Sequence, residues 1–320
     1  MLRSLWPFGG RPKRSVPLKT RLRAWWEGYD LDALAHARRR RHGNKDDAAG
    51  EDAFDAMFEA EKKQAQEWSD TRKAIVQDLW TPGFIVPGGS EYVEHLVNGC
   101  GLTAAETMLE MGVGMAGGTR AIIDRFGNYV TGYESDSNLA AEARKFAVTY
   151  DFDSKFEVVN ANPGTFRPKA HYFRAALLRD VLYTVREKED LISRVANSLK
   201  QGESQIIITD LMFEDDPDSP ELERWMVAEP GPVYPWSLGA LKKCLSSLKV
   251  AVRTAEDESD IYRRMVIGAW KEYLSRLNGE NLSPEVGRQI VHEAEFWARR
   301  LAAIDAGVLH YVRAVGVVRN

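Results

Sequence analysis

One stretch constrains this chain more than any other: Thr107-Met-Leu-Glu-Met-Gly-Val-Gly-Met-Ala-Gly-Gly-Thr-Arg120, an apolar strand running into glycines and then into a helix. Gly112, Gly114 and Gly117 satisfy the GxGxxG spacing, in which residues without a Cβ let a ligand lie against the backbone beside a helix N-terminus. Around this motif short apolar runs alternate with helical patterns. Strands are predicted at Met108–Met111, Tyr129–Tyr133, Phe156–Val159, Ala175–Leu178, Gln205–Leu211, Val250–Thr254 and Val308–Val318. Helices are predicted at Gly117–Phe126, Asn138–Ala147, Lys188–Leu199, Leu238–Leu248, Asp260–Leu277 and Pro284–Ile304. Strands separated by helices imply parallel βαβ units. The expected fold is therefore α/β, a doubly wound Rossmann-like and mainly parallel sheet of seven strands, with helices inserted before the last strand at about 258–306.

Ahead of this domain the chain changes character. Residues 1–41 hold 11 Lys/Arg against 3 Asp/Glu, a surplus of +8 that leaves −12 on the rest of a chain whose net charge is −4. Trp6, Phe8, Trp25 and Trp26 lie among those basic residues, and apolar positions between Asp52 and Leu79 recur at helical spacing. Residues 1–79 thus read as a basic arm with a helical extension, and 80–320 as the α/β domain. Residues 1–41 read first as a solvated arm with a few aromatics docked on the body. Basic residues beside aromatic anchors also suit an anionic membrane surface as a partner of this arm, or contact with nucleic acid. The acidic body repels phosphates, so no nucleic-acid partner is expected. Nothing approaches the roughly 20 apolar residues of a membrane span. Cys100 and Cys244 stand far apart without a CxxC or a Cys/His cluster, so neither a disulfide framework nor a metal is expected. The expected location is the cytoplasm, with the arm as a route to membrane association.

Strand Tyr129–Tyr133 ends in Glu134, about 20 residues after the first glycine, where a carboxylate can take both hydroxyls of a ribose. A nucleoside site is implied. Nicotinamide and S-adenosylmethionine enzymes share that geometry, and Glu110 separates them. A carboxylate two residues before Gly112 is unhelpful beside a pyrophosphate but suits a cationic ligand carrying an ammonium and a sulfonium.

At this point the sequence resembles the class I S-adenosylmethionine-dependent methyltransferases. LEMGVGMAGGTR is similar to the family's first motif, YVTGYESD to its acidic second, FEVVNANP to its third, and ALLRDVLYTVREKEDLISRVANSLKQGESQIIITD to its fourth strand through its fifth. The resemblance implies S-adenosylmethionine as cofactor, S-adenosylhomocysteine as product, and a small-molecule or lipid-linked methyl acceptor. It places Glu110, Gly112 and Gly114 at the methionine end, Glu134 at the ribose, Ser135 beside the adenine and Asn162 at the adenine amino group, with Arg179 and Asp180 on the pocket floor. Upstream, LWTPGFIVPGGSE resembles the loop that phosphoethanolamine methyltransferases carry before their first motif, which brings Ile85, Val86 and Gly89 toward the methionine. Those enzymes have a His after the fourth strand, where this chain has Asp180-Val-Leu-Tyr-Thr184. Tyr183, at the mouth of that strand, is the candidate catalytic residue, with His95 and His171 as weaker bases. Trp80, Tyr234 and Trp236 are candidate substrate-facing aromatics. A non-catalytic S-adenosylmethionine-binding or scaffold protein, and an NAD-dependent oxidoreductase, remain as alternatives.

Overall fold

The computed structural model describes residues 67–213, 219–234, 236–277 and 282–318. The basic arm and the stretch 52–66 lie outside the described residues. The elements are α1 (Asp70–Trp80), α2 (Gly89–Val97), β1 (Thr107–Met111), α3 (Gly117–Phe126), β2 (Tyr129–Glu134), α4 (Ser137–Thr149), β3 (Phe156–Asn160), β4 (Ala175–Arg179) and α5 (Lys188–Ser198). They continue as β5 (Gln205–Phe213), α6 (Pro220–Ala228), β6 (Trp236–Ser237), α7 (Leu238–Ser247), β7 (Val250–Asp257), α8 (Ser259–Arg276), α9 (Pro284–Asp305) and β8 (His310–Val318).

The sheet runs β3-β2-β1-β4-β5-β8-β7. Strands β1 to β5 are mutually parallel, and β8 is antiparallel to both β5 and β7. The two-residue β6 adds an eighth strand on β5, so Trp236, expected as a substrate-facing aromatic, serves a ladder. β4 reads Ala-Ala-Leu-Leu-Arg because every position is buried, between two strands and under helices on both faces. Alternation then divides the core. Met108, Leu177 and Ile207 face one apolar cluster, and Leu109, Leu178 and Ile208 the other. Local chemistry sets the helix ends. Asp136 caps α4 by accepting from the amides of Asn138 and Leu139 at 2.8 and 3.0 Å, and Gly127 closes α3 with φ 68°.

Helices α2 and α6 were not expected. The first begins inside the stretch read as a glycine loop, because Gly88 and Gly89 turn the chain at φ 110° and 55° and the amphipathic Tyr92-Val93…Leu96-Val97 follows. A second correction concerns the boundary at 79/80, which falls one residue before the end of α1. Ile75, Val76, Leu79 and Trp80 belong to the main core, and Arg72 Nε lies 2.5 Å from Glu293 Oε1 of α9. The body therefore begins no later than Asp70. Trp80 packs edge-on against Trp297 with ring centroids 4.7 Å apart, so it is core and not a pocket wall.

Strand order reverses between β1, which leads on to β2 and β3, and β4, which leads on to β5. In open parallel sheets a ligand crevice lies outside the carboxyl ends of the strands at such a reversal.

Candidate active site

At the carboxyl end of β1 the chain turns through Gly112 and Gly114 with φ 74° and 57°, left-handed conformations that a Cβ disfavours. A side chain there would also force a neighbour to move. A Cβ on Gly112 would stand 2.7 Å from Val181 Cγ2, and one on Gly114 would stand 2.9 Å from Ile85 Cδ1. The loop between α1 and α2 is thereby folded over the glycine turn, held by two bonds. Gly117 N donates to Gly83 O at 2.9 Å, and Arg179 Nη2 donates to Pro87 O at 2.9 Å. Ile85, expected near the methionine, thus lies against Gly114. Gly89, by contrast, opens α2 with nothing within 4 Å of where its Cβ would be.

Two buried carboxylates bracket the turn. Glu110 accepts a 2.6 Å bond from Thr119 Oγ1, and burial pushes its carboxyl up to about 7 despite that bond and the Arg179 charge. Glu134 accepts from Gly114 N at 3.0 Å and from Asp136 N at 2.9 Å, and burial raises it above the usual carboxylate range. Its second oxygen ties β2 to the glycine turn. Ser135 and Asn162 are exposed beside it. The Ser135 carbonyl accepts from Asn160 Nδ2 at 3.1 Å, and Asn162 Oδ1 turns its own loop by accepting from Gly164 N at 2.8 Å.

Beyond β4 lies a buried network of aromatic and charged side chains that sequence reasoning missed. Tyr311 Oη donates to Asp180 Oδ1 at 2.9 Å, and the Tyr311 ring stacks on Tyr262 at 4.1 Å. Tyr92 of α2 donates to Glu258 at 2.6 Å. Arg300 reaches Tyr262 Oη at 2.8 Å and Tyr183 Oη at 3.1 Å, and pairs with Glu229. Tyr183 is buried, its hydroxyl donating to Glu229 at 3.3 Å. Burial and the Glu229 charge hold that phenol well above its ordinary range, so it stays protonated and is unsuited to removing a proton. It remains a hydrogen-bonding group. The turn carrying it is fixed by Asp210, whose carboxylate accepts from the amides of Leu182 and Tyr183 at 2.6 and 3.0 Å and is pushed by burial to about 8. Tyr234 N donates to Tyr183 O at 2.5 Å, laying the loop after α6 over the same turn. His95 is exposed on α2 and His171 exposed with its ring near Leu199 O. Among the described residues no group of three His, Cys, Asp or Glu is placed to hold a metal, and no helix is long and apolar enough to cross a membrane.

No family model matches the chain. Phosphoethanolamine N-methyltransferase 2 of Caenorhabditis elegans is 31% identical over 128 residues, 39% of this chain and 29% of that protein. The chain thus matches less than a third of the length of this curated relative. Among solved structures, Haemonchus contortus phosphoethanolamine N-methyltransferase 2 with S-adenosyl-L-methionine superposes with a TM-score of 0.70 at 18% identity, over 79% of this chain and 58% of that one. A (4+2) cyclase, SpnF, gives 0.63 at 14% identity over 81% of this chain and 97% of its own. The chain carries the class I methyltransferase fold and is distantly similar in sequence to the phosphoethanolamine N-methyltransferases.

Proposed function

We propose that this protein is an S-adenosylmethionine-dependent methyltransferase acting on a small-molecule acceptor. The observation that carries the reading is the pair of buried carboxylates, Glu110 and Glu134, on either side of a glycine turn where a Cβ would crowd its neighbours. A carboxylate buried as deeply as Glu110 gains from a cationic ligand and opposes a pyrophosphate, which favours this cofactor over NAD. The residues present fit the group: Glu134 would meet the ribose, Ser135 and Asn162 the adenine end, and Glu110, Gly112, Gly114, Ile85, Gly89 and Arg179 the methionine end. When bound, the cofactor supplies an electrophilic methyl on a sulfonium. Asp180 and the protonated Tyr183 then orient the acceptor, and the aromatic network excludes water.

Calorimetry with S-adenosylmethionine, S-adenosylhomocysteine and NAD tests the reading. Low-micromolar binding of the first two without NAD is expected, and NAD binding without a response to S-adenosylhomocysteine overturns it. Glu134→Ala should weaken cofactor binding by about 1.5–3 kcal/mol, since charge-assisted bonds are lost and their donors left unpaired. Undiminished affinity in a folded Glu134→Ala protein would remove the ribose role.

The cyclase on the same fold sustains a second reading, a cofactor-binding protein that transfers no methyl group. Acceptor-independent cofactor binding with no labelled product from a panel of amines, alcohols and thiols would favour it.

The basic arm extends the proposal to a lipid-linked acceptor reached at an anionic membrane surface. A truncation beginning near Gly43 keeps the whole body from Asp70 onward, so it should fold, bind cofactor and lose its partition onto anionic liposomes. Unchanged partition would leave a solvated arm.

A further inference from the structure

Between α1, the end of α8 and the approach to α9 lies a groove of about 500 Å³. Ala74 and Ile75 of α1, Tyr273 and Leu277 around the end of α8, and Leu282 and Val286 around the start of α9 line it. Ile75 and Tyr273 are buried, whereas Leu277, Leu282 and Val286 are half-buried and Ala74 is exposed. The rim is polar at both ends. Thr71 Oγ1 donates to Glu285 at 3.3 Å, and Arg276 Nη2 donates to the Asp78 carbonyl at 2.7 Å. An apolar trough inside a polar rim is the form of a surface that another element covers.

The chain leading into α1 supplies the cover. Ser69 stops any helix entering from upstream: its backbone is extended, at φ −66° and ψ 160°, and its hydroxyl caps α1 by accepting from Arg72 N at 3.2 Å. Trp68 is held on the body with the Arg72 guanidinium 4.1 Å from its ring centre. The chain therefore changes direction at the head of the helix that forms one bank of the groove. Residues 52–66, outside the described residues, carry Phe54, Met57 and Phe58 at i, i+3 and i+4, with Ala65 two turns further along the same stripe, among Asp52, Asp55, Glu59, Glu61, Lys62 and Lys63. A stripe this short does not hold a helix in water unless it is covered. Its tether to α1 is only a few residues long, which gives it an effective concentration in the millimolar range that a separate partner lacks. The lengths agree as well. As a helix, 52–66 would span about 22 Å, and the 11 residues of α1 span about 16 Å.

We propose that residues 52–66 fold back along α1 and lay Phe54, Met57 and Phe58 into this groove, so that the basic arm leaves the body at the end of α1 that leads into the loop over the glycine turn. With Ala65 beside Thr71, Phe58 comes level with Asp78 and Arg276, where Asp55 and Glu59 meet the Arg276 charge. The root of the arm then stands next to the loop whose Ile85 lies on Gly114, and any surface the arm engages is brought to that end of the body. No cofactor contact enters the argument, so it stands apart from the methyltransferase reading.

Trypsin cleavage after Lys62 and Lys63 tests it, measured by mass spectrometry on the full chain and on a peptide of residues 50–68. The chain should be cut at least about tenfold more slowly than the peptide, because the segment must leave the groove to be cut. Ala74→Arg, which fills the groove from an exposed position, and Phe58→Asp, which spoils the stripe, should each restore most of the peptide's rate. Parent cleavage as fast as the peptide's overturns the proposal. So does protection that survives both substitutions in proteins folded by circular dichroism, which would put the segment elsewhere. Protection lost on dilution overturns it too, since the cover would then be a second copy. Where Ala74→Arg does not fold, Phe58→Asp and the dilution series decide. For the direction, a benzophenone side chain at Ala53 should crosslink within 78–88, and crosslinks to 282–286 instead would overturn the placing of the arm.

Discussion

Arg300→Met should cost the fold about 3–5 kcal/mol, because it leaves the Glu229 carboxylate buried without its counter-ion. Tyr183 and Tyr262 would lose a hydrogen-bond partner at the same time. In a domain of this size the loss corresponds to a fall in the thermal midpoint on the order of 10 °C, read by circular dichroism. Combining Arg300→Met with Glu229→Met should recover most of it, since an apolar pair needs no counter-charge. A midpoint unmoved by Arg300→Met would mean that the pair does not form.

The second large effect belongs to Glu110. Its carboxyl is pushed by burial from 4.5 to about 7, so the folded state holds a proton that the unfolded chain releases. The stability this contributes is fully present below about pH 4.5 and is lost as pH rises through about 7. At about pH 8 the ligand-free protein therefore carries a penalty on the order of 3 kcal/mol, which Glu110→Gln removes while keeping an acceptor for Thr119. Glu110→Gln should accordingly melt higher than the parent at alkaline pH and match it in acid. Cofactor affinity should move the other way. The parent's affinity for a sulfonium ligand should fall as pH drops below about 7, and Glu110→Gln should bind weakly and without that pH dependence, by at least about tenfold. Equal melting of the two proteins at about pH 8, or a pH-independent parent affinity, would show that Glu110 is not held as described.

The two carboxylates and the glycines were legible because their chemistry is local: turn, acid and spacing lie within one βαβ unit, between Glu110 and Glu134. The network beyond β4 was not, because it is assembled from Tyr92, Tyr183, Glu229, Tyr262, Arg300 and Tyr311, which no short motif connects. Arg299 and Arg300 show the difficulty. Adjacent in an ordinary amphipathic helix, they are alike as letters, yet Arg299 makes an i,i+4 pair with Glu295 at 21% side-chain exposure while Arg300 is 1% exposed and holds a buried ion pair with Glu229. Likewise Glu229 lies in a Pro/Gly-rich stretch with no acid motif around it, and the burial that disqualifies Tyr183 as a base is invisible in sequence. Most element types and the mainly parallel sheet followed from alternation, whereas the strand order, with β8 antiparallel between β5 and β7, did not. The helix over Gly89–Val97 escaped because its two leading glycines signal a loop.

The position of β8 bears on how the molecule comes into being. It is the last described strand in the chain but sits inside the sheet, and among the described residues β7 pairs with β8 alone. The β7–β8 ladder therefore closes across about fifty residues, from Asp257 to His310, and the β5–β8 ladder across about a hundred, from Phe213 to His310, non-local pairings that slow folding. During synthesis the glycine turn and Glu134 emerge early, together with the strands that hold them. Arg300, Tyr262 and Tyr311 emerge late, and Tyr311 arrives on β8 itself. A chain halted before Leu309 would hold the glycine turn and Glu134 without Tyr311 behind them and would leave an unpaired edge on β5, a surface open to chaperones and to other strands. Tyr311 and its bond to Asp180 join the network only when β8 slides between its neighbours.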